Sequence, residues 1–369
     1  MLVKMKDICT KVGSGATPKG GNNAYIKTGI TLIRSQNIHD FYFSHDGLAH
    51  INDEQAAKLN GVRLEEDDVL LNITGDSVAR ACKVDNSVLP ARVNQHVCIV
   101  RGDKRKVLSS YVLYYLQMKK PELLMMASSG ATRNALTKGM IEELELDIPS
   151  LQEQKKIVSL LDDIQCKISN NNRINRNLQE QCDAIYKDMF EINFDDNWRV
   201  GYLSELITIK YGKDHKKLGN GNIPCYGSGG VMRYVEKSIY DHESVLIPRK
   251  GTLNNVLYVN TPFWSVDTMF YTVMKLANVA KFVYHFVKEK ELDSMNAGSA
   301  VPSMTTDILY AMELRIPSDD VLAKFEDLVS PLYKAISDNR VENKKLAEVR
   351  DTLLPKLMTG ELDVSTLEM

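Results

Sequence analysis

Two stretches of this chain carry the same helical pattern, 168 residues apart, and that repeat limits the folds open to it more than any other feature. Ile148-Pro149-Ser150 returns as Ile316-Pro317-Ser318, and Gly130-Ala131-Thr132 upstream returns as Gly298-Ser299-Ala300. Ser150 with Glu153 spells a Ser-x-x-Glu capping box behind Pro149, a helix start. From there Ile157, Ile164, Asn171, Leu178 and Ile185 recur every seven residues, and Leu161, Ile168, Asn175, Cys182 and Met189 form a second series offset by four. Alternating steps of three and four make the apolar seam of a coiled coil. Phe325, Leu332, Asn339, Leu346 and Leu353, with Val329, Ile336, Asn343, Arg350 and Leu357, repeat the seam at the same offset. A duplicated frame must be recognised before any local motif is weighed.

The seams share their polar interruptions. Asn171 and Asn175 fall where Asn339 and Asn343 fall in the second helix. Amides facing one another across a coil fix its register at a cost in stability, since an unpaired buried amide is expensive. The alternative is that these amides face solvent. Ser330-Pro331 reads as a helix restart, with Ser as cap and Pro in the first turn. Pro355 is expected to kink the last turns before Thr359-Gly360 ends the helix. Each helix should run about 35–40 residues, or about 55 Å at 1.5 Å per residue. The 118 residues between them, 199–316, make a full domain, so the natural arrangement is antiparallel; a parallel one needs a longer return path.

The two globular stretches are alike in pattern and unequal in length, 144 residues from Met5 to Ile148 and 114 from Leu203 to Ile316. Asp68–Gly75 and Ser244–Gly251 each read as a buried strand running into a glycine turn. Val93-Asn94-Gln95-His96-Val97 lines up with Val266-Asp267-Thr268-Met269-Phe270, and helices follow at Ser110–Met118 and Val279–Val287. The length deficit lies before the shared strand, so one core carries different loops. That suits two readers of different targets.

Charge supports this once divided by region. The net charge is −2. Residues 1–148 carry 19 Lys/Arg against 17 Asp/Glu and residues 199–316 carry 14 against 11, whereas 149–198 and 317–369 are net −3 and −4. Mildly basic modules on acidic helices fit nucleic-acid contact by the modules. The six cysteines are scattered without a Cys-x-x-Cys pair, which argues for a reducing cytoplasm and against a disulfide framework or zinc site. No apolar run reaches membrane-spanning length, and Met1-Leu2-Val3-Lys4 is no secretory signal.

Catalytic constellations are missing from the sequence. Gly13–Gly21 lacks the Gly-Lys-Ser/Thr of a nucleotide-binding loop. It reads as a polar loop, with Thr17 and Lys19 suited to DNA phosphates. Asp241, Glu243 and Lys250 have the loose spacing of a nuclease set, a frequent accident. The histidines are isolated, and neither an Asn-Pro-Pro-aromatic motif nor a methyl-donor loop appears. The chain is expected to be non-catalytic, with no cofactor and no metal of its own. The candidate contacts are polar loop residues. In the first module they are Arg34, Gln36, Asn37, Thr74, Asp76, Arg80, Asn94, Gln95, His96, Arg133 and Asn134. In the second they are Lys213, Lys216, Lys217, Arg233, Arg249, Lys250, Asn254, Asp267 and Thr268. Arg and Lys suit a guanine edge, Asn and Gln an adenine edge, and Asp the cytosine amino group.

With these marks in place, the chain resembles the specificity subunit of a type I restriction-modification system along its whole length. The marks are Ile148-Pro149-Ser150-Leu151-Gln152-Glu153-Gln154-Lys155-Lys156-Ile157, the ending Leu353–Leu362, and Gly13–Gly21 followed by Ile33-Arg34-Ser35-Gln36-Asn37-Ile38. The second Ile-Pro-Ser departs from the pattern, with Asp319-Asp320-Val321 in place of the Gln-Glu-Gln run. The resemblance implies an α+β fold: two similar target-recognition domains separated by two long helices forming an antiparallel coiled coil. The domains would be 1–148 and 199–316, and the spacer helices 149–198 and 317–369. It implies partners as well: a bipartite site in double-stranded DNA, two modification (methyltransferase) subunits that bind S-adenosylmethionine, and, where present, ATP-dependent restriction subunits. The helices would set the half-site spacing and dock the methylases. A coiled-coil scaffold whose modules bind a non-DNA partner is the rival reading. A stand-alone methylase or nuclease is the third.

Overall fold

The computed structural model describes residues 2–128, 134–295 and 303–365. It divides into two compact units, residues 1–171 with 341–369, and residues 172–340. In the first unit lie β1 (Leu2–Lys4), β2 (Cys9–Ser14), β3 (Ile30–Ile33), β4 (Ala49–Ile51), β5 (Val69–Asn72), β6 (Ala81–Lys83), β7 (Ala91–Val93), β8 (Val97–Gly102) and β9 (Glu145–Asp147). They form a four-stranded sheet in the order β2-β8-β5-β6, a three-stranded sheet β4-β3-β7 and the pair β1-β9. The run Val69-Leu70-Leu71 is apolar throughout because β5 is covered on both faces. Val69 and Leu71 join the core that includes the helix Ser109–Met118 and the long helices. Leu70 faces the other way, into a second core with Ile33, Val93 and Ile99.

The second unit repeats this plan. Its strands are β10 (Val200–Tyr202), β11 (Ile207–Tyr211), β12 (Asn220–Gly227), β13 (Gly230–Val235), β14 (Ser244–Pro248), β15 (Leu257–Val259), β16 (Trp264–Ser265), β17 (Met269–Met274) and β18 (Glu313–Arg315). The sheets run β11-β17-β14-β15, β13-β12-β16 and β10-β18, strand for strand the order of the first unit. Both three-stranded sheets contain one parallel pair, β3 with β7 and β12 with β16. Again alternate residues of the central strand serve two cores: Val245 and Ile247 pack toward the helix Ala280–Lys288, and Leu246 packs toward Val266 and Met269. The units differ between the strands. A 15-residue connection, 34–48, joins β3 to β4, whereas Ser228 and Gly229 alone join β12 to β13.

The long helices span Leu151–Lys187 and Asp319–Met358. The capping box forms: the Ser150 backbone N–H donates to Glu153 Oε2 at 2.9 Å, and the Glu153 N–H donates to Ser150 Oγ at 3.3 Å. All twenty seam positions are buried or half-buried. Within the first unit the helices pair antiparallel, since Arg350 Nη1 donates to Gln165 Oε1 (2.7 Å) and Asn171 Nδ2 donates to Asn343 Oδ1 (2.9 Å). Within the second unit the direction is the same, with Asn339 Nδ2 donating to Asn175 Oδ1 (2.8 Å) and the Tyr186 ring against Phe325. Asn171 is 1% exposed, so the solvent-facing alternative fails for it.

The expected restart at Ser330-Pro331 does not occur, and the helix runs unbroken through both Pro331 and Pro355. Pro331 lies on the exposed face, Val329 and Tyr333 anchor the turn in the core, and the Ser330 hydroxyl donates to Glu326 rather than capping. The helix ends beside Gly360, whose φ of 74° is the left-handed conformation glycine tolerates.

Polar contacts fix each module to the helices. Tyr114 donates its hydroxyl to Asp162 at 2.6 Å. The Gln154 side chain, fully buried, accepts from the Leu108 N–H and donates to the carbonyls of Lys106 and Pro149. In the second unit Asp183 receives Lys288 Nζ (2.8 Å) and His285 Nδ1 (3.0 Å). Burial alone would push the Asp183 carboxyl up, but these two partners outweigh it and hold it at about 2.

Candidate nucleic-acid interface

Four loop segments meet at one end of the four-stranded sheet in the first unit, joined by backbone hydrogen bonds. The segment leaving β2 is tied to the β7–β8 turn by Gly15 N to Val97 O (2.8 Å) and Ala16 N to Val93 O (3.0 Å). The segment leaving β5 is tied to the same turn by Ile73 N to His96 O (3.0 Å). Residues 134–136 close the group through Gly75 N to Asn134 O (3.1 Å) and Leu136 N to Ile73 O (2.8 Å). Glycine is required at the first junction: a Cβ on Gly15 would lie 2.2 Å from the carbonyl oxygens of Val93 and Asn94.

The second unit builds the same junctions from different residues. Gly212 N reaches Met269 O (3.0 Å), Lys213 N reaches Ser265 O (2.8 Å), Arg249 N reaches Thr268 O (2.8 Å) and Met304 N reaches Arg249 O (2.9 Å). A Cβ on Gly212 would lie 2.0 Å from Val266 O. Matching bond for bond pairs Gly15 with Gly212, Ile73 with Arg249, Thr74 with Lys250, Gln95 with Asp267 and His96 with Thr268. This corrects the alignment of the two turns by one residue, because Val93 corresponds to Ser265 and not to Val266. Strand pairing agrees: Asn72 faces Val97, and Pro248 faces Met269.

Most of the expected contact residues sit on or beside these edges. In the first unit the Thr17 hydroxyl donates to Gln95 Oε1, Gln95 Nε2 lies 3.4 Å from His96 Nε2, and His96 Nδ1 lies 2.6 Å from Thr74 Oγ1. Lys19, Asp76 and Asn134 are exposed, and Arg80 is half-buried. Arg34 directly follows Ile33, whose carbonyl accepts from Asn94 N. Its guanidinium lies 5.5 Å from the Tyr25 ring centroid and donates to Gly47 O, which Gln36 Nε2 also reaches. In the second unit Lys213, Lys216, Lys217, Lys250 and Asp267 are exposed. The Arg249 guanidinium lies 5.4 Å from the Tyr211 ring centroid and 3.3 Å from Asp267 O. Tyr25, Tyr211 and Gly212 were not singled out from sequence, and Gly15 was read only as part of the Gly13–Gly21 loop, although a glycine directly after a strand in both modules was a usable signal.

Other candidates are committed elsewhere. Asn37 must be corrected: it is fully buried, accepting from Arg34 N and donating to the carbonyls of Ser44 and Asp46, so it shapes its loop and cannot reach a duplex. Asn94 is nearly buried and holds its own turn through His96 N. Arg233 donates to the carbonyls of Leu218 and Gly219, and Asn254 pairs with Asp293. Arg133 lies outside the described residues.

Glu243 is taken up by Lys281 and the Tyr258 hydroxyl, while Asp241 lies beside His242, so the loose carboxylate–lysine set does not converge on Lys250. Burial pushes the thiols of Cys9, Cys82, Cys98 and Cys182 up to about 12, which keeps them protonated and poorly nucleophilic at neutral pH. Among the described residues no group of three or more His, Cys, Asp or Glu is placed to hold a metal, and no helix is long and apolar enough to cross a membrane.

Comparison with known proteins agrees with this geometry. The chain is 24% identical to the type I restriction enzyme MjaIX specificity subunit of Methanocaldococcus jannaschii, over 99% of this chain and 94% of that protein. It is 19% identical to the HindI specificity subunit of Haemophilus influenzae, over 92% of this chain and 95% of that one. In fold it is similar to the crystal structure of a type I restriction-modification S subunit from M. genitalium, with a TM-score of 0.56, 14% identity, and coverage of 97% of this chain and 96% of that one. Residues 1–180 and 195–348 match the family model described as the type I restriction modification DNA specificity domain, and the chain belongs to that family.

Proposed function

We propose that this chain is the DNA sequence-specificity subunit of a type I restriction-modification complex, with each module reading one half of a bipartite site. The observation that carries this reading is the edge built twice: the same four segments and backbone junctions, with different side chains at equivalent positions. A frame kept while its contact residues change is what two independent readers need. Backbone-tied turns also hold contact residues rigidly, which lowers the entropy lost on binding. The functional divisions are taken as 1–148, 149–198, 199–316 and 317–369.

The remaining assignments follow from the chemistry of the surfaces. Lys19, Arg34 and Arg80 in the first module, and Lys213, Lys216, Lys217, Arg249 and Lys250 in the second, supply positive groups for phosphates and guanine edges. The seam amides Asn171, Asn175, Asn339 and Asn343 fix coil register, and the helices set half-site spacing and dock two modification subunits. Those partners supply S-adenosylmethionine and methyl transfer, while this chain contributes recognition without catalysis. No observation favours a scaffold whose modules bind something other than DNA.

The test is binding of the full chain, reconstituted with its modification subunits, to a randomised duplex library across a salt series. A bipartite motif and affinity that falls steeply with salt are expected. Salt-independent binding, or none, would refute the reading.

A further inference from the structure

The turn between the parallel-paired strand and the next strand of the large sheet, β7–β8 in one module and β16–β17 in the other, presents one forward side chain in each. The backbone junctions make these Gln95 and Asp267 equivalent. Both are exposed, on the turn to which the neighbouring segments are tied by backbone hydrogen bonds. They differ in the one property that decides base recognition. An amide carries a donor and an acceptor, whereas a carboxylate only accepts.

The surroundings orient the amide. The Thr17 hydroxyl donates to Gln95 Oε1. Gln95 Nε2 donates to His96 Nε2 at 3.4 Å, and an imidazole accepting there carries its proton on Nδ1, which donates to Thr74 Oγ1 at 2.6 Å. The second acceptor site of Oε1 and the second N–H of Nε2 remain for a ligand, the pair that matches the adenine N6 amino group and N7. Asp267 has no such relay. Its position pairs with a different surrounding set: Asp214 in the place of Thr17, Thr268 in the place of His96, and Lys250 in the place of Thr74. A carboxylate held toward a duplex is repelled by phosphates unless it accepts from a base amino group, and cytosine N4 is the matching donor in the major groove. The adjacent Arg249 guanidinium, 3.3 Å from Asp267 O, offers donors to a guanine beside it.

We infer that this turn is the base-reading tip of both modules, with Gln95 specifying an adenine in one half-site and Asp267 a cytosine in the other. Thr17 is a positioning residue for Gln95. The inference rests on the reading of the chain as a DNA specificity subunit.

The experiment uses the full chain assembled with its modification subunits, S-adenosylmethionine and a randomised duplex library, with methylated molecules sequenced to give the motif. Gln95→Ala should erase preference for one adenine in one half-site by about 10-fold, the discrimination of a bidentate pair, and leave the other half-site unchanged. Gln95→Met, closer in shape, should do the same, and an unshifted melting curve for either variant separates readout from folding. Thr17→Val should weaken preference at that same position alone. Asp267→Asn should move one position of the other half-site from cytosine toward adenine. An unchanged motif, or a loss of methylation uniform across sequences, overturns the assignment while leaving the specificity role standing. A wild-type complex that yields no motif overturns both.

Discussion

Replacing Asn171 by leucine tests whether the seam amides act as a coupled layer. Asn171 is 1% exposed, and its Nδ2 donates to Asn343 Oδ1 at 2.9 Å and to Glu342 Oε2 at 2.6 Å. Leucine removes both donors and takes from the half-buried Asn343 Oδ1 the hydrogen bond it accepts from Asn171. Glu342 keeps Lys167 at 3.3 Å and is partly exposed, so most of the cost falls on Asn343. An acceptor that loses a buried donor in such a site costs about 1–3 kcal/mol. For a unit of this size that lowers the melting temperature by about 2–4 °C per kcal/mol. Asn171→Leu with Asn343→Leu removes both amides and lets two apolar side chains meet, so the double variant should match or exceed wild type. The two single changes should therefore couple by about 1–3 kcal/mol. Differential scanning calorimetry on all four chains measures this, following the transition that shifts, since two units need not melt together. Single changes that simply add in the double variant would refute the layer.

The other expectations concern charge, backbone and salt. The folded-state pKa of Asp183 is depressed to about 2, so its stabilisation is present above the unfolded value near 4 and is lost as pH falls toward 2. The melting gap between wild type and Asp183→Asn should thus be open at pH 6 and closed by about pH 2, and a gap constant with pH would contradict this. Gly15→Ala puts a methyl 2.2 Å from two carbonyl oxygens, so the 93–97 turn must move; the motif should degrade in the first module's half-site only. Lys216→Ala and Lys217→Ala should weaken binding evenly across sequences and lower the salt slope by about one for each phosphate no longer neutralised. A sequence-dependent effect would place them at bases instead.

The long helices were legible because seven-residue periodicity is written in single side chains, and every seam position is buried or half-buried. The central strands were legible for a related reason: Val69–Leu71 and Val245–Ile247 are apolar throughout because both faces are covered. Pro331 misled because local propensity argues for a break, whereas core anchors on both sides hold the helix through it. The β7–β8 turn was misaligned by one because Val93 and Val266 look alike, and only hydrogen-bond partners show that Val93 matches Ser265. Asn37 looked like a loop reader, but polarity alone does not distinguish an amide facing a ligand from one satisfying carbonyls of its own loop. The helix Lys120–Ser128 went unforeseen, since Pro121 sits in its first turn, where proline is tolerated.

If one frame occurs twice and each copy reads independently through the same edge, exchanging the copies should exchange the half-sites. The most direct measurement is the methylation motif of a complex whose specificity chain has residues 1–148 replaced by 199–316. The expected result is a bipartite motif containing the second module's half-site twice, with the first module's half-site gone. A motif that retains the first half-site, or loses sequence preference altogether while the complex still assembles and methylates, would contradict it.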